Sequence, residues 1–65
     1  MLSVLSESLR ERVAEEIGRF NEALSAAENH ETPQNLEDLA EAANRLMRAV
    51  GRVLIEVKHQ LGDNE

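Results

Sequence analysis

Residues 35–61 read NLEDLAEAANRLMRAVGRVLIEVKHQL, and one row of apolar side chains runs through the whole stretch. The gaps between its members alternate between four and three residues without a break, which is the a/d pattern of a heptad repeat on one long helix. The members of this a/d row are Leu36, Ala40, Ala43, Met47, Val50, Leu54, Val57 and Leu61. The pattern predicts an α-helix over about residues 35–61.

A second apolar row, the g row, recurs every seven residues beside the first and consists of Leu39, Leu46 and Val53. Two adjacent rows make the apolar face wider than the stripe of a two-stranded coiled coil, and this width is typical of a helix that faces the core of a bundle. We expect the a/d row to face the other helix of the chain. The g row is then left for a second copy of the chain or for the amphipathic helix of another protein.

The chain before this stretch predicts a first helix over about residues 3–28, which begins near Ser3 or Ser6, either of which can act as its N-cap. The run Leu9, Val13, Ile17 has two consecutive gaps of four residues. Such a stutter interrupts the heptad and locally unwinds a supercoil. We also expect an i,i+4 ion pair between Arg12 and Glu16 on the surface of this helix.

The segment between the helices, about residues 29–34, contains a helix start at Thr32-Pro33. Thr is a favourable N-cap, and Pro fits the first helical position because its missing N–H has no partner there. Asn29 and Gly62 are placed to end the two helices in the left-handed conformation. Residues 62–65 are expected to form a polar tail.

A short turn between two helices of similar length makes them antiparallel neighbours. The sequence therefore predicts an all-α fold in a single domain over residues 1–65, an antiparallel two-helix hairpin. A chain of this length buries about 60% of the surface that its unfolded form exposes, so its core is marginal without a further source of stability. With no Cys for a disulfide, we expect the hairpin to dimerise into a four-helix bundle.

Composition argues against several classes of function. With 13 acidic and 7 basic residues the formal charge is −6, which disfavours RNA, non-specific DNA binding and anionic membranes. A single Phe, with no Trp or Tyr, offers no platform on which bases could stack. No apolar run approaches the ~20 residues of a membrane span. We expect a bacterial protein located in the cytoplasm, because the absence of Cys fits a reducing compartment.

Catalytic and metal-binding patterns are weak. No Ser lies near a His in the predicted fold, and the three glycines are too far apart to form a phosphate-binding loop. Glu56 and His59 have the Glu-x-x-His spacing of di-iron carboxylate bundles. Both lie away from the a/d row, so we expect them to face water. We predict no enzymatic activity, no cofactor and no metal.

Three arginines, Arg45, Arg48 and Arg52, form a basic stripe on the outer side of the second helix. This stripe could face a ligand, either an acidic partner or the phosphates of RNA. The alternative is a solvated surface with i,i+4 pairs between Glu41 and Arg45 and between Arg52 and Glu56.

The apolar rows favour a small non-enzymatic protein-interaction module, with an adaptor, chaperone-like or regulatory role. Its partner would be itself, as a homodimer, or another helical protein. The residues expected at the protein interface are Val13, Ile17, Phe20 and Leu24 of the first helix, and Leu36, Leu39, Ala43, Leu46, Met47, Val50, Val53, Leu54, Val57 and Leu61 of the second.

In size and helical pattern the chain resembles two families of small bacterial hairpins. One is Rop, the plasmid copy-control protein, which it resembles in helix–turn–helix length and acidic balance. That resemblance implies a four-helix-bundle dimer that binds paired RNA loops. The other is the small co-chaperone class of type III secretion systems, which implies pairing with a larger chaperone. Neither resemblance extends to a motif that would assign RNA-binding or chaperone-binding residues.

Overall fold

The computed structural model describes residues 6–62, and in this range the chain forms two α-helices and no strand. Helix α1 spans Glu7–Asn29 and helix α2 spans Pro33–Gly62. The two helices pack against each other, so the all-helical hairpin expected from the sequence is confirmed. The principal extents of the molecule are 48, 20 and 13 Å, which correspond to an elongated and flat shape.

Helix α1 begins after Ser6, whose extended backbone and side-chain oxygen form the N-cap. The Ser6 Oγ accepts the backbone N–H of Leu9 at 3.2 Å. Ser3, the other cap considered, lies outside the described residues. At the far end His30 is the C-cap in an extended conformation, and its N–H donates to the carbonyl oxygen of Ala26 at 2.9 Å.

Helix α2 begins at Pro33, as the Thr32-Pro33 pair indicated, and two residues before residue 35, where the heptad stretch was expected to start. Thr32 is its cap, because the Thr32 Oγ1 accepts the backbone N–H of Asn35 at 3.1 Å. The predicted left-handed ends at Asn29 and Gly62 are wrong: both residues are helical, and no residue between 6 and 62 has a positive φ. Helix α1 ends instead through the extended backbone of His30.

The inward side of α1 follows an unbroken heptad that includes a charged residue. Apart from Leu24, its least exposed positions have gaps that alternate between four and three residues, and Glu16 is among them while Ile17 is 43% exposed. The predicted stutter is therefore wrong, since Glu16 and not Ile17 continues the row. The inward residues of α1 are Leu9, Val13, Glu16, Phe20, Ala23 and Ala27.

On α2 the two apolar rows have exchanged the roles expected from the sequence. The g row is half-buried and, together with buried Ala42 and Ala49, faces α1, whereas most of the a/d row is exposed. The physical reason is the size of the side chains at the contact. Alanines at positions 42 and 49, with Ala27 on α1, allow the two backbones to approach closely, whereas the a/d row has no small side chain from Met47 onwards.

Candidate functional site

The exposed side of α2 carries a continuous apolar stripe formed by the a/d row. Met47 is 68% exposed and Leu61 is 63% exposed, although both are large apolar side chains. Leu36, Val50 and Leu54 are about half exposed, Ala40 is exposed, and Ala43 and Val57 are half-buried at the edge of the hairpin core. At 1.5 Å per residue the stripe from Leu36 to Leu61 is about 37 Å long.

Helix α1 adds Ile17 to the same broad side of the hairpin. Ile17 directly follows inward Glu16, as Val50 follows inward Ala49. One residue turns a helix by about 100°, so both side chains lie on the flank that follows the inward positions. Because α1 and α2 run in opposite directions, these two flanks belong to one side of the hairpin. Leu24, half-buried one heptad after Ile17, extends this apolar side.

The opposite side of the hairpin carries an arginine cleft with a volume of about 670 Å³. Arg12 of α1 lines it together with Arg48 and Arg52 of α2, and the remaining lining residues are Ser6, Ser8, Leu9 and Glu56. Arg52 Nε lies 3.9 Å from Glu56 Oε2, the i,i+4 pair expected from the sequence. Within residues 6–62 neither Arg12 nor Arg48 has an ion-pair partner.

The structure separates the three arginines that the sequence grouped together. Arg45 lines a second, smaller cleft of about 330 Å³ with Arg19, where Glu22, Asp38 and Glu41 balance the positive charge. Arg12 instead joins Arg48 and Arg52 across the two helices. Arg12 was not expected at a ligand-facing surface, because its i,i+4 spacing to Glu16 predicts a surface ion pair.

Glu16 is the unusual member of the hairpin core. It is only 7% exposed, and within the described chain its Oε1 is buried without a hydrogen-bond partner. The expected pair with Arg12 is not formed. A buried polar atom without a partner lowers stability by about 1–3 kcal/mol. The signal for its position was present in the sequence, since the four-and-three spacing of α1 is unbroken only if residues 16 and 23 are counted in place of 17 and 24.

The Glu-x-x-His step does not assemble with other ligands in the described part of the chain. Glu56 is half-buried at the arginine cleft and His59 is exposed near the end of α2. Across residues 6–62 no three side chains of His, Asp or Glu come together in a way that could hold a metal ion. Neither α1 nor α2, over its described residues, combines the length and apolar character of a membrane-crossing helix.

Comparison of the chain with models of protein families, with curated proteins and with solved structures finds no match in any of the three. Two surfaces therefore remain as the basis for a functional proposal. One is the apolar side, formed by the a/d row with Ile17, and the other is the arginine cleft.

Proposed function

We propose that this protein is a small non-enzymatic interaction module that acts by burying its a/d row against other α-helices. The observation that supports this proposal is the exposure of five large members of the row: Leu36, Met47, Val50, Leu54 and Leu61. They lie on one side of one helix at heptad spacing, which is the arrangement by which helices recognise other helices.

The weakness of the hairpin core supports the same proposal. Among residues 6–62 the buried positions are Ala27, Ala42, Ala49 and Glu16, and no large side chain is fully buried. Burial of one Leu, Val or Met side chain contributes about 1.5–3 kcal/mol, whereas a whole domain is stable by about 5–15 kcal/mol. Association through the a/d row would therefore supply a large share of the stability of the folded state.

The simplest form of this association is a homodimer in which two hairpins make a four-helix bundle. The same row could instead bind another helical protein, with the chain as an adaptor, a regulator or a small co-chaperone. All of these roles use the apolar side, so a single variant that disrupts this side tests each of them. An acidic residue at position 47 places a charge in the middle of the row, and this charge opposes burial.

The test is light scattering after size-exclusion chromatography over a concentration series, combined with circular dichroism. We expect the wild-type protein to have at least twice the 7.3 kDa mass of the chain, and Met47→Glu to shift the mass towards one chain. Arg48→Glu is the matched control, since it introduces the same side chain at the next residue on the opposite side. A stable, fully folded monomer that binds no other helix would contradict the proposal.

A second candidate function, the binding of RNA phosphates, is supported by the arginine cleft. The cleft gathers Arg12, Arg48 and Arg52 from both helices into one place. Guanidinium groups are well suited to phosphate oxygens, and a local positive cluster can bind RNA even on an acidic chain. In this case the protein would be an RNA-binding regulator, in which the apolar side forms the dimer interface and the arginine cleft binds the RNA phosphates.

A further inference from the structure

We infer that a second copy of this chain covers the a/d row, with the two α2 helices antiparallel and related by a two-fold axis between Met47 and Val50. This inference rests on the proposed function, because it names the partner of the same apolar side. Its starting point is the spacing of the row, which is four, three, four, three, four, three, four residues. This order is the same in both directions along the helix.

A symmetric spacing means that every member of the row meets another member when two copies lie antiparallel. The paired positions are Leu36 with Leu61 of the second copy, Ala40 with Val57, Ala43 with Leu54, and Met47 with Val50. Each pair occurs twice around the two-fold axis, as an interface between identical surfaces requires.

The sizes of the side chains favour the antiparallel arrangement over the parallel one. The small members, Ala40 and Ala43, lie in the first half of the row, and large members fill its second half. Antiparallel helices place each alanine opposite Val57 or Leu54, so the layers have similar volumes and can pack closely. Parallel helices would place alanine against alanine and leave voids in the first half of the interface.

Charges at the edge of the row agree with the same arrangement. Glu37 and Lys58 are exposed, and each directly follows a member of the a/d row, at corresponding heptad positions near opposite ends of α2. In an antiparallel pair Glu37 of one copy lies beside Lys58 of the other, at both ends of the interface. In a parallel pair position e of one helix faces position g of the other, so Glu37 and Lys58 would not be brought together.

The broad side of the hairpin that carries the a/d row is large enough for a stable dimer. The two long dimensions of the molecule are 48 and 20 Å, and stable complexes bury about 800 Å² on each partner. Ile17 lies near the centre of this side. Arg12 of α1 lies in the same cleft as Arg52 of α2, and Arg19 of α1 lies in the same cleft as Arg45 of α2. The part of α1 between Arg12 and Arg19, which includes Ile17, is therefore level with the middle of the a/d row.

Disulfide cross-linking tests both the partner and the direction, because the chain has no Cys of its own. The test protein carries Leu36→Cys and Leu61→Cys together, and Leu36→Cys alone is the matched control. Positions 36 and 61 are about 37 Å apart along α2. A disulfide needs Cα atoms within about 7 Å, so no bond can form inside one chain.

With glutathione disulfide as the oxidant, at low micromolar protein, we expect the double variant to become a covalent dimer. It should do so on the order of 100-fold faster than Leu36→Cys alone, because two cysteines that face each other in a complex have an effective concentration in the millimolar range. If the double variant does not fold, as judged by circular dichroism, Ala40→Cys with Val57→Cys repeats the test one layer further in.

Two results would overturn the inference. Rapid cross-linking of Leu36→Cys alone would show that the two α2 helices are parallel, and the apolar side would still be an interface. A one-chain mass with no rapid cross-linking in the double variant would exclude a second copy. If that monomer is poorly helical, the proposed function still stands, because the a/d row would then need a different protein as its partner. If the monomer is well folded and binds no other helix, the result contradicts both this inference and the proposed function.

Discussion

Asn35, in the first turn of α2, donates a hydrogen bond from its side-chain Nδ2 to the main-chain carbonyl oxygen of Ala26 in α1, over 3.3 Å. The same Nδ2 donates to the carbonyl oxygen of His30 at 2.8 Å. Both carbonyl oxygens also accept a backbone N–H, that of His30 at Ala26 and that of Thr32 at His30, so Asn35 adds a second hydrogen bond to each. Its side chain thereby joins the end of α1 to the beginning of α2.

Asn35→Ala should therefore destabilise the hairpin at its connection. The substitution removes both hydrogen bonds, and each contributes about 0.5–1.5 kcal/mol net. We expect the free energy of unfolding to fall by about 1–2 kcal/mol in urea denaturation followed by circular dichroism at fixed protein concentration. Asn44→Ala is the control, since Asn44 is exposed on the same helix. Equal effects of the two substitutions would show that the contacts to Ala26 and His30 carry no stability.

Glu16→Leu should stabilise the protein. The substitution removes a carboxylate oxygen that is buried without a partner and replaces it with apolar surface in the row that faces α2. We expect a gain of about 1–3 kcal/mol in the free energy of unfolding. Glu15→Leu, at the exposed neighbouring position, should change it by less than about 0.5 kcal/mol. A loss of stability in Glu16→Leu would mean that the carboxylate has a partner in the assembled protein.

Gly18→Ala should also stabilise the protein, for a reason that is local to α1. Gly18 is exposed within the helix, and a Cβ added there would meet no atom within 4 Å. Alanine in place of an interior helical glycine contributes about 0.5–1 kcal/mol. The gain should appear as a higher urea midpoint with an unchanged slope. A lower midpoint would indicate that another chain approaches the backbone closely at this position.

Charge reversal in the arginine cleft tests the second candidate function. If the cleft binds phosphates, Arg48→Glu should lower the affinity for an RNA hairpin by about tenfold or more and reduce its salt dependence. The mass in solution should not change, because Arg48 lies on the side opposite the a/d row. Arg10→Glu makes the same change of charge outside the cleft and should bind like the wild type. An RNA affinity equal in all three proteins, or undetectable in the wild type, would exclude this function.

The sequence by itself determined the helices and their connection, because these depend on neighbours along the chain. The heptad spacing of residues 35–61 predicts one long helix without reference to anything else, and Thr32 followed by Pro33 indicates where this helix begins. A connection of only three residues, 30–32, then makes the second helix an antiparallel neighbour of the first.

Only the tertiary structure decided which side of each helix faces the other. On α2 the g row and the a/d row repeat with the same period of seven residues. A rotation of α2 about its axis would turn either row towards α1, and the spacing does not specify this rotation. The alanines at positions 42 and 49 favour contact on their side, since they allow close approach in both halves of α2, whereas the a/d row has small side chains only at positions 40 and 43. On α1 the same packing places Glu16 inside and Ile17 outside, against their polarity. Contacts between helices therefore left the a/d row exposed, and this exposure is the basis for the proposed function.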